Sequence, residues 1–304
     1  MSRPQFRPSQ YPLWWFLKGL SLLPTSVLYA ISSFLYFLIY YVVGYRKKVV
    51  RQNLERAFPD KPTTWLRQTE KQFFHNLTDI IIETLKLTSI SEKELNKRIQ
   101  FSGDAAVLDC LNSGKPMLAL GAHLGNWEMA LLAGSRHFPF PIDGVYKPLS
   151  SSFFEVFMLN LRSRFEATLV KNKDTLRHLI RHRNQPRFIT MLSDQIPPRG
   201  EIQYWTTFLH QDTAFYVGAD KLQASFKYPV FFMGMRHLRR GHYEIYFEEL
   251  KRPANAEEFG LIEVFAQRLE QWVQAYPADY LWSHKRWKHQ RPAASSESDN
   301  LPLK

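Results

Sequence analysis

The sequence predicts an α/β protein with a mainly parallel sheet flanked by helices, preceded by an apolar N-terminal helix that anchors it in a membrane. Three observations predict this. From Ile99 onward, short apolar runs alternate with helix-length amphipathic stretches, the pattern of strand–helix–strand units. Between the N-terminal segment and Ile99, apolar residues recur at three and four, as on one face of a helix. No charged residue lies between Lys18 and Arg46.

Within that uncharged window, "VLYAISSFLYFLIYYVV" (Val27–Val43) is almost wholly apolar and aromatic. It is close to the roughly 20 residues a spanning helix needs. Tyr36, Tyr40, Tyr41 and Tyr45 crowd its C-terminal half, where aromatic side chains meet headgroups, and "RKKVVR" follows. Basic residues also precede it at Arg3, Arg7 and Lys18, so charge asymmetry orients the helix only weakly. Residues 1–45 therefore read as a membrane anchor, 46–291 as an α/β domain, and the polar, Pro/Ser-containing tail 292–304 as disordered.

Helices are expected across "NLERAFP", across Thr63 to Leu85 with Phe73, Leu77, Ile80 and Ile81 on one face, and at "SEKEL". The predicted strands are "PMLALGA", "IDGVY", "ATLV", "RFITMLS", "PVFFMGMRH" and "HYEIYFEEL". Helices lie between them at "NWEMALLAG", "SSFFEVFMLNLRSRF" and "KDTLRHLIRHR", and a last one spans Ala256–Tyr276.

The 304 residues carry 40 Lys+Arg against 28 Asp+Glu, a net charge of +12 that favours phosphates, anionic headgroups or acidic proteins as partners. One cysteine, Cys110, rules out an intrachain disulfide framework and fits a reducing compartment. The stretch "HKRWKHQR" is basic and aromatic, but no nucleic-acid-binding module accompanies it, so phosphorylated lipid at a membrane is the better partner.

The chemistry concentrates in "LALGAHLGNWEMALLAG". On a continuous helix His123 and Glu128 would lie about 140° apart. A strand ending at His123, a turn through Gly125, and a helix capped by Asn126 would instead let the two approach. His123 then stands at the C-terminal end of a parallel strand, where α/β sheets gather ligands. An acid/base pair is one reading; a capped helix start whose Glu128 complements the helix dipole is the other. There is no H-E-x-x-H or paired-cysteine zinc pattern, no G-x-S-x-G elbow and no phosphate-binding glycine loop. A histidine and carboxylate without a built-in nucleophile suit direct transfer, in which the base activates the acceptor's own hydroxyl. Lys147 follows an apolar run and is a candidate phosphate contact.

The block "HLGNWE" resembles that of the late lipid A acyltransferases, the lauroyl- and myristoyl-type members of the H-x4-[D/E] acyltransferase superfamily. "RQNLERAFP", "VYKPL…LRSRF", "MLSDQ" and "PADYLWSHKRWK" are similar to further blocks of that family in the same order. Where the family has a glycine in the F-F-G turn, this chain has "TFLHQDT", with His210-Gln211 in its place. The resemblance implies acyl transfer from acyl carrier protein to a hydroxyl of a lipid A precursor, with no cofactor and no metal. The enzyme would sit at the inner membrane on a single-pass anchor, its catalytic domain on the cytoplasmic side. It further implies that His123 is the general base, oriented and charge-balanced by Glu128. Arg164, or more weakly Arg162, would hold phosphate or the developing oxyanion. Asp194, at another strand end, would orient His123 or Arg164, or cap a loop. Asn126 would shape the turn, and "FFEVFML" (Phe153–Leu159) would line an acyl groove or simply pack in the core. Two alternatives stay open: the same transfer onto another lipid acceptor, and a non-catalytic membrane-anchored lipid-binding scaffold.

Overall fold

A computed structural model describes residues 5–256 and 258–292; most of the predicted tail, Arg3, and the first residues of the anchor segment lie outside them. In chain order the helices and strands begin with α1 (Tyr11–Ser21), α2 (Thr25–Phe37, continued by π-helical turns over Leu38–Val43), α3 (Lys47–Ala57), α4 (Thr63–Lys86) and α5 (Glu92–Arg98). Next come β1 (Ile99–Ser102), α6 (Asp104–Asn112), β2 (Met117–Gly121), α7 (Trp127–His137), β3 (Ile142–Tyr146), α8 (Ser152–Arg162), β4 (Thr168–Lys171) and α9 (Thr175–His182). The chain closes with β5 (Phe188–Leu192), β6 (Tyr204–Phe208), β7 (Gln211–Phe215), α10 (Gly218–Phe226), β8 (Val230–Arg239), β9 (His242–Glu249) and α11 (Gly260–Ala275).

Seven strands form one sheet in the order β1-β9-β8-β2-β5-β3-β4. All pairs are parallel except β8 with β9. That pair is a hairpin turning at Arg240-Gly241, with Gly241 at φ 73°; so short a link cannot make the crossover a parallel pair needs. Every residue of β2 is buried, as a central strand covered by helices on both faces requires. The predicted last helix starts later than the spacing suggests, at Gly260, because Phe259 before it adopts a left-handed conformation (φ 66°).

The apolar segment Thr25–Val43 (19 residues) is the one described helix long and apolar enough to cross a membrane. Its two sides differ. Thr25, Tyr29, Ser32, Ser33 and Tyr40 follow helical spacing along one face. They bond to the α/β domain: Tyr29 to Glu83 (2.7 Å), Ser32 to Asp79 (2.5 Å), Tyr40 to Glu70 (3.1 Å), with Arg98 on Thr25 and Arg240 on Ser33. The other side leaves Phe34, Phe37, Val42 and Val43 exposed.

The departure at "TFLHQDT" becomes a two-residue hairpin between β6 and β7, with Phe208 opposite Gln211. Both turn residues, Leu209 (φ 50°) and His210 (φ 62°), are left-handed, the combination that usually selects Asn-Gly. Leu209 is buried and its N–H bonds Glu270 (2.7 Å), which holds the turn despite the strain. His210 is exposed. His210→Gly should therefore stabilise the protein by about 1 kcal/mol in urea unfolding, because glycine adopts this conformation without the side-chain clash.

Candidate active site

The strand β2 delivers His123, and the chain must then reverse within a few residues to start α7. Gly125 makes that turn at φ 49°. A Cβ there would lie 3.2 Å from Met235 and 3.3 Å from Tyr243, so both conformation and space call for glycine. The C-terminal segment clamps the turn from outside: Gly125 N–H bonds Asp279 O (2.9 Å) and Leu281 N–H bonds His123 O (3.1 Å). Asn126 caps α7, its side chain accepting from Met129 N–H (3.0 Å) and donating to the buried Glu83 (2.9 Å).

Strands β2 and β5 pair with Gly121 opposite Leu192, and Ser193 N–H bonds Gly121 O (2.9 Å). The two strand ends thus bring His123 and Asp194 together. His123 Nδ1 lies 2.7 Å from Asp194 Oδ1. With the proton on Nδ1, Nε2 keeps its lone pair, facing the Gln195 amide at 3.3 Å. The Trp127 ring stands edge-on to the imidazole, 4.9 Å between centroids. Burial opposes charging His123, but the Asp194 carboxylate, the hydrogen bond to it and then Glu128 outweigh burial and the Arg162 cation, raising the imidazole above its ordinary value. Asp194 is buried too, yet the imidazolium, its hydrogen bonds and Arg286 hold the carboxyl below the usual range. His284 belongs to the same cluster and is pushed down to about 4, chiefly by burial, so it stays neutral there.

Glu128 turns elsewhere. Its carboxylate receives a two-pronged bond from Arg162, Nε at 2.7 Å and Nη2 at 2.6 Å, and a third from Trp127 Nε1 (3.1 Å). Arg162 ends α8 and keeps Nη1 without a hydrogen-bond partner among the described residues. His123, Trp127, Glu128 and Arg162 all border a cavity of about 350 Å³ between α7 and the sheet. Apart from this mouth its walls are mainly apolar, from Ala130, Leu131 and Gly134 on α7 to Ile142, Gly144, Phe188 and Leu192 on the strands, with Thr190 among them. Among the described residues, no three His, Cys, Asp or Glu side chains gather as a metal site.

The family model for bacterial lipid A biosynthesis acyltransferases matches residues 4–289. The chain belongs to that family. It is therefore an acyltransferase of lipid A biosynthesis. Comparison with curated proteins yields no match.

In this lipid A acyltransferase the residues singled out from sequence fall into two groups. His123, Glu128, Arg162 and Lys147 border the cavity, Asp194 sits on His123, and Asn126 holds the turn behind it. Arg164 is elsewhere. Its guanidinium donates to Leu87 O and to Ile90 O (2.8 Å), occupying carbonyls just past the end of α4. Arg164→Ala should accordingly lower stability by about 1.5–3 kcal/mol in denaturant unfolding, with the turnover of the folded fraction unchanged. The stretch Phe153–Leu159 is not in the cavity wall either: the Phe153 ring lies 5.4 Å from Phe6 and Phe157 meets Trp14 edge-on (6.0 Å), docking the N-terminal segment.

Several residues at the site escape sequence reasoning. Gln195 was hidden inside "MLSDQ" as a neighbour of the candidate aspartate. Asn53, in "RQNLERAFP", donates to Trp282 O and His284 O (both 2.8 Å), tying that block to the segment that clamps the His123 turn. Arg286 is fully buried, bonds Ala214 O (2.8 Å) and lies over the Phe215 ring (4.4 Å). The clue to both was their place in blocks that recur together, although spacing alone gave them no role.

Proposed function

We propose that this lipid A acyltransferase moves a fatty acyl group from an acyl carrier protein thioester to a hydroxyl of the lipid A precursor, directly and without an acyl-enzyme. The observation that carries this reading is His123 at the edge of an apolar cavity, its Nδ1 2.7 Å from Asp194, so that with the ring proton on Nδ1 the other nitrogen, Nε2, is the base. Nε2 takes the proton of the acceptor hydroxyl as its oxygen attacks the thioester carbonyl. The tetrahedral oxyanion forms beside Arg162, whose Nη1 donates to it. On collapse the C–S bond breaks, and the imidazolium returns the proton to the leaving thiolate, giving an ester and the carrier thiol. Asp194 keeps the imidazole in one tautomer and stabilises its charged form. Glu128 fixes Arg162, and Lys147, exposed at the mouth, meets an acceptor phosphate.

The exposed side of Thr25–Val43, with Trp15 and Phe16 on α1 and Leu22 just past its end, supplies the membrane contact. The basic residues Arg46, Lys47 and Lys48 follow it, as at an anionic surface. Acyl carrier protein is acidic and soluble, so we place the α/β domain on the cytoplasmic side of the inner membrane. The test uses the full chain in detergent, acyl carrier protein thioester and a hydroxyacylated lipid A precursor. Mass spectrometry should show the lipid gaining one acyl chain as carrier thiol appears, and His123→Ala should slow this about 10²–10⁴-fold. Wild-type rates in His123→Ala would overturn the mechanism.

A further inference from the structure

The cavity behind His123 has a definite end. It follows α7, whose 11 residues at about 1.5 Å each make it roughly 16 Å long. At the start of the helix stand Trp127 and Glu128, and just past its end stands Phe138. Phe138 lies 5.2 Å from Phe188 and 5.7 Å from Phe247, which are themselves 5.8 Å apart. All three rings are buried and all three line the cavity. Phe101, only partly buried, extends this wall edge-on to Phe138 (6.1 Å) and stacks on His137 at 3.8 Å.

Two glycines border the cavity, and they differ: at Gly144 the room for a side chain is taken by Leu131 and Leu169, whereas at Gly134 only Ile142 lies within 4 Å. A Cβ on Gly144 would come within 3.2 Å of Leu131, and one on Gly134 within 3.3 Å of Ile142 Cδ1. An unbranched apolar guest whose reactive carbon stays at His123 would thus run along α7 and stop at the aromatic rings.

We infer that the Phe101–Phe138–Phe188–Phe247 wall sets the length of acyl chain that the enzyme takes from its donor, and that Gly134 keeps the approach to it open. This rests on the reading that the donor thioester carbonyl is held at His123. Each methylene that fits is worth about fourfold in binding, from about 0.8 kcal/mol per buried CH₂. A chain that overruns the wall must shift packed aromatic rings, costing roughly tenfold. The preference has an optimum, and it moves with the wall.

The experiment uses the full-length enzyme and a ladder of saturated acyl carrier protein thioesters that step by two carbons, compared by kcat/KM. Gly134→Leu places a side chain one helical turn ahead of Phe138 and should move the optimum to a shorter chain by at least about tenfold in relative kcat/KM. Phe101→Ala should move it to a longer one. Phe138→Leu, a smaller change in a fully buried position, should shift it the same way as Phe101→Ala. The same ladder of free fatty acids, followed by ligand-induced thermal shift, reads the cavity without any transfer. If transfer proceeds and the optimum stays put in all three folded variants, the inference falls while the donor reading stands. Where no carrier protein thioester reacts but fatty-acid binding shifts with the variants, the donor reading falls and the cavity assignment survives. An unchanged fatty-acid profile in every variant sinks the inference outright.

Discussion

Asp194→Asn will leave His123 in its turn but slow acyl transfer by about 10²–10⁴-fold, with KM for the donor little changed. The backbone bonds from Leu281 to His123 and from Asp279 to Gly125 do not involve the Asp194 side chain, so the turn persists. What is lost is the acceptor for the Nδ1 proton. An asparagine amide can present N–H to Nδ1 and drive the imidazole proton onto Nε2, the nitrogen that has to take the hydroxyl proton. The imidazolium formed in the transition state would also lose its nearest counter-charge.

The same substitution has a signature in pH. A base works only when neutral, so the acidic limb of kcat/KM reports the His123 pKa of the free enzyme. That value is raised, so the limb should lie above the ordinary histidine range. In Asp194→Asn the main opponents of burial disappear, the pKa falls, and the limb moves to lower pH while the plateau drops. An unchanged limb with a lower plateau would mean that another group titrates there. Rates measured across pH with a saturating acceptor decide between them.

The place of His123 was readable because "PMLALGA" is uninterrupted apolar sequence and Asn126 is a good cap: each signal is local. Asp194 was readable as a strand-end carboxylate that orients His123 or Arg164 or caps a loop, but which of these it does was not, since that depends on β2 pairing with β5, which are separated by two whole strand–helix units. Sequence put Glu128 beside His123 because five residues and a turn allow it, whereas the structure puts Asp194 on Nδ1 and gives Glu128 to Arg162. Choosing between Arg162 and Arg164 fails for a similar reason. One is the last residue of α8 and faces the cavity; the other lies past the helix end and turns toward α4. The apolar character of Phe153–Leu159 left a groove lining and core packing both open, while what covers Phe153 and Phe157, namely Phe6 and Trp14, is about 140 residues away in sequence, beyond any periodic signal. The β6–β7 hairpin went unseen because Leu209-His210 lacks the glycine that marks such turns.

Glu128 and Arg162 should behave as one unit. Their side chains are only 7% and 18% exposed, and the pairing uses two parallel N–H···O bonds. Removing one partner strands the other's charge at the edge of an apolar cavity, so Glu128→Ala should cost about 3 kcal/mol of stability as well as activity. Arg162→Ala should lower kcat by about 10²–10³-fold if its guanidinium holds the oxyanion. Arg162→Lys should rescue little of that, because one ammonium cannot grip both Glu128 oxygens and still present a donor to the substrate. The double variant decides what Glu128 is for. If it acts by fixing Arg162, Glu128→Gln in an Arg162→Ala background should reduce kcat by no more than a few-fold, although the same change in the wild type costs much more. If the two losses multiply, Glu128 works on His123 by itself. Its own field favours the imidazolium, so a modest downward move of the acidic limb in Glu128→Gln is expected either way, smaller than in Asp194→Asn because Asp194 outranks it in holding that charge.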